Sequence, residues 1–143
     1  MTSKVYWADL RADFRENLQQ KLYRLMKTSG MGEIDFENKF VAIKMHFGEP
    51  GNLAFLRPNW AKTVADFVKE RGGKPFLTDC NTLYVGGRKN GLDHLDTACL
   101  NGFNPMPKSV ITRHGNLLTV DVNDEKGEPI VLVFVIELLY TLH

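Results

Sequence analysis

The sequence predicts an α/β domain in which helices cover the faces of a mainly parallel sheet. Three short β-rich runs alternate with three amphipathic stripes at helical spacing, and glycines separate most of these elements. Strands that alternate with helices favour parallel pairing through right-handed crossovers. The 143 residues fit a single domain, residues 1–143, and 43% hydrophobic with 24% charged residues is a globular composition.

The first strand is predicted at residues 4–10 (KVYWADL), where β-prone side chains cluster. An amphipathic helix follows, with Asp13 as its N-cap and with Gly30 and Gly32 in the loop that ends it. The apolar face of this helix repeats at spacings of four, four and three residues and consists of Phe14, Leu18, Leu22 and Leu25.

The second and third βα units have the same form. A strand is predicted at residues 39–45 (KFVAIKM), and Pro58 then suits the first turn of a helix. The apolar stripe of that helix consists of Trp60, Val64, Phe67 and Val68. A third strand is predicted at residues 75–78 (PFLT) and a third helix at residues 92–100. Its inward residues are predicted to be Leu95, Cys99 and Ala98.

The last forty or so residues change character. Residues 117–122 and 129–136 are strand-like and are joined by NDEKGE at residues 123–128, a pattern compatible with a C-terminal antiparallel hairpin. Another βα unit would be more expected at this point. Residues 130–136 (IVLVFVI) are apolar without alternation, so they predict a strand covered on both faces. If this segment is uncovered, it predicts self-association through the C-terminal strands.

Charge and hydropathy narrow the classes of partner. Eighteen basic and seventeen acidic residues leave a net charge of +1, which disfavours nucleic acid and anionic membrane surfaces. The most apolar stretch, residues 130–142, is too short for a spanning helix, which needs about 20 residues. Cys80 and Cys99 can form at most one disulfide, and a cytoplasmic location is predicted.

Polar side chains follow the second and third predicted strands. Ligands of parallel α/β sheets bind beyond the carboxyl ends of the strands, so these side chains should converge there. They are Lys44, His46 and Glu49 in one loop, and Asp79, Asn81, Thr82, Tyr84, Arg88 and His94 in or after the next.

Chemical roles follow from residue type. Asp79 and His46 are candidate catalytic acid–base groups, and an Asx-turn is the structural alternative for Asp79. The candidate ligand-binding residues suit a small anion and are Lys44, Asn81, Thr82, Tyr84 and Arg88. A divalent metal is a further candidate cofactor, with His46, Glu49 and His94 as ligands.

The cysteines and aromatic residues favour structural roles. Cys80 is expected to be partly exposed, and Cys99 is expected to be a buried core thiol. The aromatic residues predicted to pack in the core are Tyr6, Trp7, Phe14, Trp60 and Phe67.

Two strings carry a resemblance to a known family. Residues 41–52 are VAIKMHFGEPGN and residues 73–94 are GKPFLTDCNTLYVGGRKNGLDH. Both are similar to the hallmark strings of the domain of unknown function 362 family, and the resemblance covers residues 4–103. It implies a small-ligand or metal-binding domain of redox-linked proteins that often carry iron–sulfur clusters.

This chain departs from the family in two ways. The family usually continues with more sheet and with paired cysteine clusters, whereas this chain has two cysteines, and a four-iron cluster takes four ligands. No iron–sulfur cluster is therefore expected within the chain. Residues 104–143 are an atypical tail, which is expected of a natural truncation or of a shifted reading frame.

Two alternatives remain open. One is an autonomous enzyme in which Asp79 and His46 perform acid–base chemistry on an anion held by Lys44 and Arg88. The other is a non-catalytic, truncated interaction fragment whose incomplete sheet pairs with another chain. Convergent polar groups favour a binding site or an enzyme, and an uncovered sheet edge favours the fragment.

Overall fold

The computed structural model describes residues 4–103 and the backbone of residues 109–112 and 132–135. The described strands are β1 (Phe40–Lys44), β2 (Lys74–Cys80), β3 (Ser109–Thr112) and β4 (Leu132–Val135). The helices are α1 (Leu18–Thr28), α2 (Pro58–Lys69) and α3 (Gly91–Leu100), with a 3-10 turn at Met31–Glu33. The prediction of an α/β domain is confirmed.

The described strands form one sheet in the order β3-β2-β1-β4, and every neighbouring pair is parallel. In β1 and β2, Ile43 pairs with Leu77 and Lys44 pairs with Thr78. The two strands therefore end at the same edge. Helix α1 packs on α2, α2 packs on β1 and β2, and α3 packs on β3.

The N-terminal segment differs from the prediction. Residues 4–10 form no strand, and Trp7 is largely exposed. The segment pairs with none of the four described strands, so its backbone gains no ladder hydrogen bonds and its β-propensity alone does not make it a strand. The predicted core placement is also wrong for Tyr6 and for Phe14, which is 92% exposed, whereas Phe67 is fully buried and Trp60 is half-buried.

Helix α1 begins later than predicted. Its N-cap is Asn17, whose side chain accepts a hydrogen bond from the backbone of Gln20 and completes a capping box. Asp13 instead forms a turn before the helix, accepting from the backbone N–H groups of Arg15 and Glu16 at 2.7 and 3.0 Å. Aspartate serves either role, and the reciprocal bond, in which Gln20 Oε1 accepts from the N–H of Asn17, favours Asn17.

Helix α2 begins at Pro58, as predicted, and three residues of its predicted stripe, Val64, Phe67 and Val68, are buried. They contact the apolar residues of β1 and β2. The buried apolar cluster of the described residues consists of Met26, Phe36, Val41, Ile43, Met45, Phe47, Ala61, Val64, Ala65, Phe67, Val68, Leu77, Ala98 and Phe103.

The inward face of α3 differs from the prediction. The buried residues are His94, Thr97 and Ala98, whereas Leu95 and Cys99 are exposed. The predicted burial of Cys99 is therefore wrong, because the helix turns a partly polar face inward and hydrogen-bonds it to the neighbouring loops. Cys80 is partly exposed, as predicted.

The tail is described only in part. Sequence reasoning missed β3, although its SVIT sequence is β-branched and follows α3 as the next strand of a βα unit. Residues 132–135, within the predicted strand 129–136, pair in parallel with β1. The hairpin partner, residues 117–122, lies outside the described residues, so the antiparallel hairpin stays a prediction. No helix of the described residues is both long and apolar enough to cross a bilayer.

Candidate functional site

The polar residues that follow β1 and β2 lie at one edge of the sheet. Lys44 is the last residue of β1, and Asp79 is next to last in β2. The loop after β2 contacts the loop after β1 directly, since the hydroxyl of Tyr84 donates to Glu49 Oε1 at 2.7 Å. Parallel pairing thus brings together residues that are 35 positions apart in the chain.

The carboxylate of Asp79 lies at the centre of this edge and is only 2% exposed. Both of its oxygens accept hydrogen bonds. Oδ1 accepts from Lys44 Nζ at 2.9 Å and from the N–H of Cys80 at 2.8 Å. Oδ2 accepts from three donors, which are the N–H of Phe47 at 3.0 Å, Arg88 Nη1 at 3.0 Å and His94 Nε2 at 3.1 Å.

This environment keeps Asp79 ionised. Burial would raise the pKa of its carboxyl, but hydrogen bonds from His94, Lys44 and the Phe47 backbone outweigh burial and hold the pKa far below its usual value. A buried carboxylate is tolerated when it is paired and hydrogen-bonded in this way. Asp79 is therefore a strong acceptor and a weak base.

The guanidinium of Arg88 joins the two loops. It donates through Nη1 to Asp79, through Nε to Glu49 Oε1 at 2.7 Å, and through Nη2 to the hydroxyl of Tyr84 at 2.9 Å. Its burial would lower the Arg88 pKa, but the bonds to Glu49 and Tyr84 raise it. For Glu49, burial would raise the carboxyl pKa, and the bonds from Tyr84 and Arg88 lower it. Both groups are charged at neutral pH.

His94 connects α3 to the site. Its ring is fully buried and lies between Asp79 Oδ2 and Asn81 Oδ1, which is 3.0 Å from Nδ1. The ionised carboxylate of Asp79 can only accept, so Nε2 of the ring carries the hydrogen of that bond, and Nδ1 faces the side-chain amide of Asn81. The edge of the ring also packs against Phe47, with centroids 5.8 Å apart.

His46 lies beside the network and is exposed. Its Nδ1 accepts from the N–H of Gly48 at 2.8 Å, so Nε2 carries the hydrogen of the neutral ring. Burial of part of the ring, followed by the Arg88 cation, lowers the His46 pKa. The ring is therefore neutral at neutral pH and presents an N–H donor at Nε2.

Thr82 shapes the second loop. Its hydroxyl donates to the carbonyl of Tyr84 at 3.2 Å, and its N–H donates to the carbonyl of Arg88 at 2.9 Å. The loop is pinned to α3 as well, because the hydroxyl of Thr97 donates to the carbonyl of Gly87 at 3.0 Å. These bonds fix the backbone that carries the Tyr84 and Arg88 side chains.

The three predicted metal ligands do not form a common centre. Glu49 is bonded to Arg88 and Tyr84, and His94 is fully buried between Asp79 and Asn81. Across the part of the chain that the structure describes, no three histidine, cysteine, aspartate or glutamate side chains are grouped to hold a metal ion.

Sequence reasoning missed two supports of the site. The backbone N–H of Phe47 donates to Asp79, and the carbonyl of Phe47 accepts from Asn101 Nδ2 at 2.8 Å. Asn101 is the C-cap of α3 and lies 54 positions from Phe47. No local pattern signals such a contact, because it depends on the packing of α3 against the first loop.

A family model described as Domain of unknown function (DUF362) matches residues 41–132 of the chain. The match includes all of β1 except its first residue, as well as β2, α3 and both loops of the site. No curated protein and no solved structure matches the chain.

Proposed function

We propose that this chain, which belongs to the domain of unknown function 362 family, binds a small anionic ligand at the carboxyl edge of β1 and β2. The proposal is drawn from the geometry of the site. Lys44, Arg88 and Tyr84 supply the contacts to the ligand. The observation that carries the proposal is that Lys44 and Arg88 donate to opposite oxygens of one buried carboxylate, Asp79. Two cations, one at the end of β1 and one in the loop after β2, are thereby fixed side by side.

Access to solvent supports a binding role for Lys44. Its side chain is 30% exposed, although its ammonium is anchored on Asp79. An ammonium has three N–H donors, so a lysine that donates one hydrogen bond to Asp79 can donate others to a ligand. His46 adds its Nε2–H donor beside this cation. Charge-assisted hydrogen bonds of this kind are the stronger ones in proteins.

Binding is favoured over acid–base catalysis. Asp79 has a strongly lowered pKa and accepts from several donors, which makes it a poor proton acceptor near neutral pH. The His46 nitrogen that would accept a proton, Nδ1, already accepts from Gly48. Under this proposal Asp79 positions the cations, and His46 contacts the ligand as a donor.

Asn81 and Thr82 act through other residues in this proposal. Asn81 orients His94, which holds Asp79, and Thr82 fixes the backbone around Tyr84 and Arg88. Both are positioning residues for the ligand contacts.

The redox link remains an implication of the family resemblance. Cys80 and Cys99 are the two cysteines of the chain, fewer than a four-iron cluster requires. A chain with so few cysteines fits a reducing compartment, so the proposal includes a cytoplasmic location.

Titration calorimetry with inorganic phosphate tests the proposal. The wild-type chain should bind phosphate at one site, and Lys44→Met should weaken binding by about tenfold or more, since a hydrogen bond to a charged group contributes about 1.5–3 kcal/mol. The matched control is Lys62→Met, because Lys62 pairs with Asp66 on the exposed face of α2. Absence of saturable binding by the folded wild-type chain, or equal binding by Lys44→Met, would refute the proposal.

A further inference from the structure

Glu49 occupies the position of an anion within the site. Its Oε1 accepts from Arg88 Nε and from the Tyr84 hydroxyl, both at 2.7 Å. These are the donors that the proposed function assigns to the ligand. We propose that Glu49 is an internal competitor for the site, which a ligand phosphate group must displace, and that Glu49 thereby selects phosphate over simple carboxylates. This inference rests on the proposed function.

The donors are fixed independently of Glu49. Arg88 is 6% exposed at its side chain, and its Nη1 is held by Asp79. Its carbonyl accepts from the N–H of Thr82. The guanidinium also holds the Tyr84 hydroxyl through Nη2 at 2.9 Å. When Glu49 leaves, the bonds to Asp79 and Thr82 keep the donors in place for an incoming oxygen.

The Glu49 side chain can leave the site without movement of the backbone. It is 21% exposed, so rotation about its own side-chain bonds carries the carboxylate toward solvent. The described bonds of the Glu49 carboxylate run to Arg88 and Tyr84, so their replacement by a ligand removes the contacts that hold this side chain in the site.

Charge determines which ligand can displace Glu49. The cations Lys44 and Arg88 are balanced by Asp79 and Glu49, so no surplus charge attracts a ligand while Glu49 is bound. A tethered carboxylate competes at an effective concentration on the order of millimolar or more. A free monocarboxylate offers nothing beyond what Glu49 provides and loses this competition.

A phosphate group carries more negative charge and more acceptor oxygens than a carboxylate. It carries about −1.5 to −2 charges and three acceptor oxygens. One oxygen can replace Glu49 Oε1 between Arg88 and Tyr84, and the remaining charge is available to the exposed ammonium of Lys44. The predicted ligand class is therefore a phosphate or a phosphate monoester rather than a carboxylate.

Calorimetric titration of Glu49→Gln with phosphate and with acetate at pH 7 tests the inference. The substitution removes the competing charge, so phosphate should bind about tenfold more tightly or better, and acetate should bind measurably. The wild-type chain should bind phosphate and show no saturable acetate binding. Glu33→Gln is the matched control, because Glu33 is exposed in the turn before β1.

The outcomes separate the two proposals. If the wild-type chain binds phosphate and Glu49→Gln binds it equally or more weakly, the competitor role is refuted and the anion site stands. If neither chain binds phosphate, both proposals fail.

A measurement on the wild-type chain avoids dependence on the folding of the variant. The carboxyl ¹³C resonance of Glu49 should shift as phosphate saturates the protein, and the carboxyl resonance of Asp79 should shift less. A Glu49 resonance that stays in place during saturation would overturn the inference.

Discussion

Asp79 connects the two halves of the site at the scale of a single residue. Its two oxygens accept from both loops and from α3, so removal of the charge takes the carboxylate away from the buried guanidinium of Arg88 and the partly exposed ammonium of Lys44. Breaking a buried ion pair by removing one partner costs about 3–5 kcal/mol. The burial of Asp79 therefore makes this residue important for stability as well as for the site.

Asp79→Asn should lower the free energy of unfolding at pH 7 by about 3–5 kcal/mol, measured by urea denaturation. Because folding lowers the pKa of Asp79, its stabilising contribution is fully present above the unfolded pKa of about 3.9 and is lost as the pH falls toward the folded value. The variant should thus lose less stability than the wild-type chain below about pH 4.

Asp66→Asn is the control, because Asp66 forms an exposed pair with Lys62 and should change stability little. An Asp79→Asn chain whose stability follows the wild-type pH profile, displaced by a constant, would contradict the assignment.

The pKa of His46 depends on the charged groups around the site. Partial burial and the Arg88 cation lower its pKa, so NMR titration of its ring protons should give a midpoint below the ordinary value of about 6.5. Arg88→Gln removes a positive neighbour and should raise the His46 pKa. Arg71→Gln is the control, since Arg71 lies over the ring of Phe67. A wild-type midpoint above the ordinary value would show that His46 lies in a different environment.

At the scale of elements, the loop after β1 depends on a close approach at Gly48. A methyl group at this position would lie 2.5 Å from Asn101 Nδ2 and 2.8 Å from Phe55 Cδ1. Gly51, in the same loop, has a similar φ of +79° but no atom within 4 Å of such a methyl group. A comparison of alanine substitutions at the two glycines therefore distinguishes the stability cost of backbone strain from the stability cost of overpacking.

Gly51→Ala should cost about 1–2 kcal/mol of stability, the cost of a left-handed conformation. Gly48→Ala should cost the same amount plus about 1–3 kcal/mol for overpacking, and it should weaken phosphate binding because it displaces Asn101 from the Phe47 carbonyl. Thermal denaturation and calorimetry of both variants measure these effects. Equal losses in the two variants would show that packing at Gly48 contributes nothing.

At the scale of the whole molecule, the strand order places the site next to a reversal. From β1 the chain crosses to β2 and then to β3, whereas β4 lies on the other side of β1. Ligands of open α/β sheets bind at the carboxyl edge near such a reversal. Lys44, at the carboxyl end of β1, is thus well placed for a ligand contact.

The apolar segment that contains β4 predicts self-association. Residues 130–136 lack charge and proline, and β4 is the last strand on its side of the described sheet. The wild-type chain should associate with increasing concentration in sedimentation velocity experiments, and Val133→Lys should reduce this association. Leu100→Lys is the control, because Leu100 is an exposed residue of α3.

Circular dichroism of Val133→Lys distinguishes an edge strand from a strand that is covered on both faces. An edge strand predicts that Val133→Lys stays folded, whereas a strand covered on both faces predicts unfolding. A wild-type chain that is monomeric at high concentration and unfolds cooperatively would refute self-association and the incomplete-fragment alternative together.

The sequence by itself predicted the α/β class, because the periods of its apolar residues and its glycine stops are local signals. It also predicted β1, α2 and β2 within a few residues, and it singled out Lys44, Glu49, Asp79 and Arg88 through their positions after strands. Parallel strands end at one edge, so the convergence of these residues follows from topology alone.

Only the tertiary structure decided what each of these residues contacts. The inward face of α3 is set by His94 and Thr97, which bond to the two loops, and the helical period cannot reveal a buried polar face whose partners are distant in sequence. The exposed Trp7 likewise has the β-propensity of a strand, but its segment pairs with none of the four described strands. Propensity and period are local, whereas pairing, burial and the balance of charges around Asp79 depend on which segments meet.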